Sequence, residues 1–220
     1  MSPKQNPYAR PDRFTRAAKD AGFPARSVYK LEEIDRRTRL FRQGMHVLDL
    51  GATPGSWSLY AAQKIGRGGK LLAVDLEPLG TVLPPHAVFV QGDALLLAGA
   101  DADAGAGVSP GTSVSGGELE EQLARFAPYD VVLSDMAPRT TGNRVTDQTR
   151  SFELFMRALA VGARLGKAGG AFVGKIFMSD DLPAARAELR KHYASERLIR
   201  PEGTRAVSTE LFVVGQGKRA

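Results

Sequence analysis

The chain has 220 residues, of which 43% are hydrophobic and 25% charged, a composition typical of a globular domain and not of a disordered chain. It contains no cysteine, which excludes disulfides, thiol nucleophiles and cysteine-ligated metal sites. The three histidines are scattered singly, so we expect no metal site. No apolar run has the length of a membrane span, and we expect a cytoplasmic protein without a membrane partner.

The positive charge is concentrated at the start of the chain. Residues 1–42 hold 11 of the 30 Lys and Arg residues but only 5 of the 24 acids, so the remainder is balanced at 19 of each. Such an excess favours a polyanionic partner, although a solvated basic helix explains the charge equally well. We predict that residues 1–42 are an RNA-binding extension of the domain formed by residues 43–220. The candidates for phosphate contacts are Arg10, Arg13, Lys19, Arg26 and Arg37.

Apolar periodicity predicts alternating helices and strands along the rest of the chain. The predicted helices are Arg13–Ala21, Ala25–Phe41, Ser56–Ile65, Asp147–Leu165 (stopped near Gly169-Gly170) and Leu182–His192. The predicted strands are His46–Leu50, Lys70–Leu76, Ala87–Gln91, Tyr129–Asp135, Ala171–Phe177 and Glu210–Gly215. This alternation predicts an α/β domain with a largely parallel sheet. Residues 97–117 are rich in glycine and lack a core-forming pattern, so we expect a flexible insertion there.

The turn after the first strand has the sequence DLGATPGSW, in which Gly51 and Gly55 allow a ligand to approach the backbone. It is neither a P-loop nor a G-x-G-x-x-G turn, which disfavours a nicotinamide dehydrogenase. Asp75 ends the second strand, where a carboxylate can accept both hydroxyls of a ribose. Asp93 ends the third strand and can accept the amine of an adenine. Ribose and adenine without a diphosphate loop indicate S-adenosylmethionine, although a lone acid at a strand end more often caps the next helix.

Five segments in this order resemble the FtsJ/RrmJ (RlmE) family of S-adenosylmethionine-dependent RNA ribose 2'-O-methyltransferases. They are RSVYKL from Arg26, DLGATPGSW from Asp49, VLSDMAP ending at Pro138, VGKIF ending at Phe177 and STELFVVG ending at Gly215. The resemblance implies a catalytic tetrad at Lys30, Asp135, Lys175 and Glu210. It also implies cofactor contacts at Gly55, Trp57, Asp75, Asp93 and Asp135, to which the turn itself adds Gly51.

The fold implied by the resemblance is Rossmann-like, with a seven-stranded sheet whose antiparallel strand opens at Glu210. The implied reaction is methylation of a ribose, that of a uridine in bacterial members, in 23S ribosomal RNA of the large subunit. From the size of the single domain we expect a monomer, and we expect no metal. The same chemistry on transfer RNA stays open. A ribosome-assembly factor that binds RNA without turnover is the alternative from another class, and an intact tetrad argues against it.

The chemistry explains these residue types, because a ribose hydroxyl is a poor nucleophile that must be aligned and deprotonated. Lys175 is the candidate base, since it interrupts a buried apolar strand, and the alternative is that it only orients the hydroxyl. Asp135 would orient the lysine, while Lys30 and Glu210 would fix the ribose. One departure from the family is Ser56, at a position where a glycine is usual. Its side chain adds bulk beside the methionine part of the cofactor.

Overall fold

The computed structural model describes residues 13–93, 116–202, 204 and 208–220. Within them the helices are α1 (Arg13–Asp20), α2 (Val28–Thr38), α3 (Ser56–Ile65), α4 (Gly116–Phe126), α5 (Arg144–Leu165) and α6 (Leu182–His192). The strands are β1 (His46–Leu50), β2 (Lys70–Asp75), β3 (Ala87–Gln91), β4 (Tyr129–Ser134), β5 (Gly166–Phe177), β6 (Tyr193–Ile199) and β7 (Glu210–Lys218). In this part of the chain no helix is both long and apolar enough to cross a membrane.

All of these strands join one seven-stranded sheet in the order β3-β2-β1-β4-β5-β7-β6. The neighbours from β3 to β5 pair in parallel, whereas β7 runs antiparallel to both β5 and β6. The predicted fold class, a mostly parallel sheet with an antiparallel strand opened by Glu210, is confirmed. The strand order reverses between β1 and β4, and such a reversal opens a ligand-binding crevice at the carboxyl ends of the strands.

Helices cover both faces of the sheet, because alternate strand residues point into two separate apolar cores. One core joins Leu48 and Leu50 of β1 to helices α4, α5 and α6. The other joins Val47 of β1 to helices α1, α2 and α3, and includes Leu31 and Ile34 from the predicted apolar stripe of α2. The basic helices at the start of the chain are therefore packed onto the sheet.

Helix α2 is three residues shorter at each end than the predicted Ala25–Phe41. Its C-terminal end is set by Arg39, which adopts a left-handed conformation with φ +52°. The side chain of Asp35 then accepts a hydrogen bond from the N–H of Phe41 at 3.1 Å. Capping by Asp35 therefore turns the chain out of the helix before its apolar pattern ends.

Helix α5 begins three residues earlier than predicted, because the side chain of Asn143 caps it by accepting a hydrogen bond from the N–H of Thr146. The helix ends at Leu165 as predicted. The glycine pair expected to stop it, Gly169-Gly170, instead lies within β5. The early start matters for the site, because it adds a turn of helix beside the carboxyl end of β4.

Two elements were not predicted from the residues themselves. Helix α4 buries Leu119, Leu123 and Phe126, a helical spacing that follows directly on the glycine-rich stretch. Strand β6 buries only Tyr193 and Ile199, its two end residues. An edge strand with polar residues between two buried ends lacks the alternation by which strands are identified.

The predicted insertion at residues 97–117 lies mostly outside the described residues. Its last two residues, Gly116 and Gly117, begin helix α4. Helix α4 therefore begins within the last two residues of the predicted insertion, and the flexibility of the insertion stays a prediction. Glycine is a poor helix former, but the buried residues further along α4 stabilise the helix as a whole.

The left-handed conformation of Arg39 generates a stability prediction, since a Cβ disfavours this conformation and glycine avoids the cost. We expect Arg39→Gly to raise the free energy of unfolding by about 0.5 kcal/mol in urea titrations. Arg36→Gly is the matched control, because it removes the same charge from within α2 and should lower that free energy by about 1 kcal/mol. A loss of stability in Arg39→Gly would contradict the strain assigned to this position.

Candidate functional site

Strand pairing brings three of the predicted tetrad residues to the same end of the sheet, at the carboxyl ends of β4 and β5. Asp135 follows the last residue of β4, which pairs with the residue that precedes Lys175 on β5. Glu210 is the first residue of β7, and the antiparallel pairing places it opposite the last residue of β5. A carboxylate, an ammonium group and a second carboxylate therefore lie at the ends of three adjacent strands.

Lys175 is buried, with 8% of its side chain exposed, and Asp135 provides its polar contacts. Its Nζ donates a hydrogen bond to the main-chain oxygen of Asp135 and lies 2.8 Å from the carboxylate Oδ1. That Oδ1 is itself buried and receives no well-aligned hydrogen bond from the described residues. A lysine ammonium has three N–H donors and the Asp135 carbonyl takes one of them, so Nζ keeps donor capacity both for the Asp135 carboxylate and for a ligand.

The other two tetrad residues form a second ion pair. Nζ of Lys30, on α2, lies 2.5 Å from Oε1 of Glu210, and both side chains are nearly buried. The same Nζ lies 6.0 Å from the centroid of the Phe212 ring on β7, at the outer limit of a cation–π contact. The predicted tetrad therefore consists of two oppositely charged pairs. A buried charge that loses its partner is strongly destabilising, which favours the conformation in which both ion pairs are formed.

A cavity of about 620 Å³, which we call the basic cavity, lies between α2, the start of α5 and the start of β7. Four cationic and two carboxylate side chains line it: Arg26, Lys30, Arg144 and Lys175, against Asp147 and Glu210. This lining has a formal excess of two positive charges. It therefore favours an anionic ligand, such as a phosphodiester chain.

A second cavity of about 490 Å³, the acidic cavity, lies over the carboxyl ends of β1, β2 and β3. Its charged lining consists of four carboxylates and one ammonium group: Asp75, Glu77, Asp93 and Asp135, with Lys175. The formal excess is three negative charges, which favours a ligand that carries a positive charge. The volume is within the range of small-molecule sites.

The two cavities meet at Lys175 and Ala137, the residues that line both. A cationic small molecule in one cavity and an anionic chain in the other would therefore approach each other at Nζ of Lys175. This arrangement can align two reactants and hold or move a proton between them.

The carboxylate of Asp75 is fixed by the backbone around it. Its Oδ2 accepts the N–H of Thr53 at 2.8 Å, and its Oδ1 accepts the N–H of Glu77 at 2.9 Å. A carboxylate oxygen accepts more than one hydrogen bond, so both oxygens keep capacity for ligand hydroxyls. Gly51 lines the same cavity with φ +74°, and an added Cβ there would overlap the side chain of Met136. The loop therefore requires glycine at this position.

Gly55 and Trp57, both predicted cofactor contacts, are not among the residues that line the two cavities. Gly55 has φ +107°, and a Cβ there would press against Thr81 and Leu79. Trp57 is buried with its ring 5.5 Å from that of Phe212, between α3 and the sheet. In the structure both residues pack against other parts of the protein, and their predicted contact with the cofactor is not seen in the cavity lining.

The basic residues predicted to contact phosphates are distributed over the first two helices. Arg26 precedes α2 and lines the basic cavity. Arg13 and Lys19 lie on α1, whereas Arg37 pairs with a carboxylate one turn away on its own helix. Arg10 lies outside the described residues. The contact of this region with RNA stays a prediction.

Sequence reasoning missed Arg144 and Asp147 of the basic cavity and Glu77 of the acidic cavity. All three follow the carboxyl end of a strand, where ligands bind in open α/β sheets, and this signal was available in the sequence. Asp147 is oriented by Thr141, whose N–H and hydroxyl both donate to its Oδ1. The hydrogen bond from the Thr141 backbone is the main reason that the pKa of Asp147 lies below its ordinary value.

The chain is similar to known proteins of one family. A family model described as FtsJ-like methyltransferase matches residues 23–218. A protein of Sorangium cellulosum, named ribosomal RNA large subunit methyltransferase E, is 59% identical over 216 residues, which are 98% of this chain and 92% of that protein. Its namesake in Nitratidesulfovibrio vulgaris (strain DP4) is 46% identical over 208 residues, covering 94% of this chain and 93% of that protein.

Solved structures with low sequence identity show the same fold. A protein of Plasmodium falciparum described as a ribosomal RNA methyltransferase aligns with a TM-score of 0.70 at 21% identity, over 89% of this chain and 98% of that chain. The fibrillarin pre-rRNA processing protein of Methanococcus jannaschii aligns with a TM-score of 0.52 at 15% identity, over 82% of this chain and 69% of that chain. At these identities the comparison concerns the fold alone.

The buried carboxyl of Asp49 on β1 generates a pH prediction. Burial, with a smaller effect from the charges of Asp135 and Asp75, raises its pKa from 3.8 to about 7, although Ser58 donates a hydrogen bond to it at 2.6 Å. Between about pH 4 and pH 7 the folded state therefore keeps a proton that the unfolded state has already released. Because of this group, the free energy of unfolding falls as the pH rises through that range. Asp49→Asn cannot ionise, and its stability relative to the unaltered protein should increase over that range.

Urea unfolding at several pH values between 4.5 and 7.5 measures this difference. Asp147→Asn is the control, because its lowered pKa confines its titration to more acidic pH and its difference from the unaltered protein should stay flat. A flat difference for Asp49→Asn as well would show that Asp49 does not titrate as assigned.

Proposed function

Because this chain belongs to the FtsJ-like methyltransferase family, we propose that it transfers a methyl group from S-adenosylmethionine to a ribose 2'-hydroxyl of large-subunit ribosomal RNA. The observation that carries the proposal is the junction of the basic and acidic cavities at Lys175. The family predicted from the sequence motifs is confirmed.

The acidic cavity suits S-adenosylmethionine in charge, size and donor set. The cofactor's sulfonium is a cation, and the carboxylates of the cavity leave a formal excess of three negative charges. Asp75 would hold the ribose hydroxyls, Asp93 the adenine amine, and Asp135 would face the sulfonium. When bound, the cofactor supplies a methyl group that the positive sulfur has already activated.

The basic cavity suits the RNA substrate, because its cationic side chains can contact the phosphates that flank a ribose. Relatives at 59% and 46% identity carry the name ribosomal RNA large subunit methyltransferase E. We therefore take ribosomal RNA of the large subunit as the substrate, a uridine as its target nucleotide, and the cytoplasm as the place of action. The extension at residues 1–42 adds further phosphate contacts.

Methyl transfer forms a bond between the ribose 2'-oxygen and the methyl carbon and breaks the bond between that carbon and sulfur. The hydroxyl proton must leave as the oxygen attacks. Lys175 lies where it can hold this oxygen, and its neutral form can accept the proton, while Asp135 keeps its side chain in position. Lys30 and Glu210 hold the ribose from the basic cavity. Alignment of the two reactants supplies much of the acceleration.

The direct test is to incubate the purified protein with methyl-labelled S-adenosylmethionine and large ribosomal subunits from cells that lack the protein. Mass spectrometry of the RNA should then place the label on a ribose of 23S ribosomal RNA. Label in transfer RNA under the same conditions would overturn the choice of substrate. Absence of label from all RNA would favour an RNA-binding assembly factor without turnover.

Lys175→Ala should lower kcat by at least about 100-fold, because it removes the group that holds and deprotonates the hydroxyl. Cofactor affinity should change little, since Asp75 and Asp93 are left intact. Lys175→Arg keeps the positive charge but cannot accept a proton at neutral pH, and should be similarly inactive. Comparable turnover in either variant would contradict the role of Lys175 as base, and activity in the arginine variant alone would assign it to orientation.

Asp75→Ala should raise the cofactor Kd by about tenfold or more, measured by calorimetry, because two ribose hydroxyls lose a charged acceptor. Asp130→Ala is the matched control. Asp130 also accepts a backbone N–H, from His46 at 2.9 Å, but at the opposite end of β4, so cofactor affinity should stay unchanged. Equal affinity in the Asp75 variant and the unaltered protein would contradict the assignment of the ribose site.

A further inference from the structure

The side chain of Ser56, at the start of α3, is bonded to the segment that precedes α2. Its Oγ accepts the N–H of Ala25 at 2.8 Å and donates to the carbonyl oxygen of the same residue at 3.1 Å. Ser56 is 1% exposed, and it is not among the residues that line either cavity. Its hydroxyl is therefore committed to Ala25 and lies away from both cavities, whereas the sequence alone had indicated added bulk beside the cofactor.

The next residue along α3 makes a second bond to the same segment. Nε1 of Trp57 donates to the carbonyl oxygen of Ser27 at 2.9 Å. The ring of Trp57 packs against Phe212, which pairs with Lys175 in the sheet and whose ring lies 6.0 Å from Nζ of Lys30. The amino end of α3 thus contacts both the segment before α2 and strand β7.

Residues 25–27 set the position of the cationic side of the basic cavity. Arg26 lies within this segment and lines the cavity, and Lys30 lies on the first turn of α2 directly after it. The side chain of Ser27, the residue before α2, makes no capping hydrogen bond. The bonds from Ser56 and Trp57 instead attach the segment before α2 to the amino end of α3, which fixes where α2 begins.

We propose that Ser56 is a positioning residue, whose paired hydrogen bonds to Ala25 hold Arg26 and Lys30 in register with the loop that begins the cofactor side of the site. The loop from Gly51 to Thr53 lines the acidic cavity three residues before Ser56, so one short segment borders the cofactor and also fixes the RNA-side helix. Loss of the hydroxyl removes the partner of the Ala25 N–H and one of the two donors to the Ala25 carbonyl oxygen, at a half-buried position, and lets α2 shift.

The expected effect of Ser56 on kcat rests on the proposed function, whereas its expected effect on the segment from Ala25 to Ser27 does not. Ser56→Ala should lower kcat for RNA by about tenfold, since small displacements of positioning groups have effects of this size or larger. The cofactor Kd should stay within about twofold, because the acidic cavity keeps all its side chains. This difference between kcat and cofactor affinity separates positioning from a general loss of structure.

Two readouts need no RNA and no activity. The amide of Ala25, which lies outside a helix, should be protected from hydrogen exchange in the unaltered protein and should exchange at least about tenfold faster in Ser56→Ala. Trp57 is the only tryptophan of the chain, so tryptophan fluorescence reports on the surroundings of this one side chain. Acrylamide should quench it more strongly in the variant, as the segment from Ala25 to Ser27 moves away.

Thr38→Val is the matched control. It also removes a buried hydroxyl, but among the described residues that hydroxyl bonds only to Ile34 on its own helix α2, so Ala25 exchange and Trp57 quenching should not change. Ser56→Gly should behave as Ser56→Ala does.

An unprotected Ala25 amide in the unaltered protein, or unaltered kcat in both Ser56 variants, would overturn the proposal. A parallel loss of kcat and cofactor affinity would also overturn it. If the unaltered protein transfers no methyl group, the proposed function fails, and the exchange and quenching results still decide the role of Ser56.

Discussion

The site depends on the contact between Lys175 and Asp135 at the ends of two adjacent parallel strands. A lysine within a buried strand is tolerated only with a partner, and strand register places that partner on the next strand at the correct height. Because the strand order reverses beside β4, the same ammonium group also stands at the crevice where ligands bind. Fold and site are therefore linked by one ion pair, which stabilises the strand ends and separates the two cavities.

The ion pair of Lys175 and Asp135 lies where two cavities of opposite charge meet. One cavity carries an excess of two positive charges and the other an excess of three negative charges, and the two share Lys175. Under the proposed function each cavity would attract one reactant and disfavour the other, so that the donor and the RNA would approach from opposite sides. The close packing of α3 against the segment before α2 holds these two sides in register, through Ser56 and Trp57.

Much of this arrangement was predictable because strand ends carry a strong sequence signal. Three apolar runs, each followed by an acid, predicted strands of the sheet and carboxylates at their carboxyl ends. The structure places these acids, Asp75, Asp93 and Asp135, in the lining of the acidic cavity. The partners of Trp57 were not predictable, because Ser27, which accepts its indole N–H, and Phe212, against which its ring packs, are both distant in sequence. Edge strand β6 was missed for a related reason: hydrogen bonds to β7, and not its own apolar pattern, define it.

The most direct measurement is the crystal structure of the protein with S-adenosylhomocysteine, the product that remains after methyl transfer. We expect its ribose to lie at Asp75 and its sulfur to face Lys175 Nζ at a separation of about 6 Å, which leaves room for a methyl group and a ribose oxygen in line. A product bound in the basic cavity, or one whose sulfur faces solvent away from Lys175, would contradict the claim that the two reactants meet at this side chain.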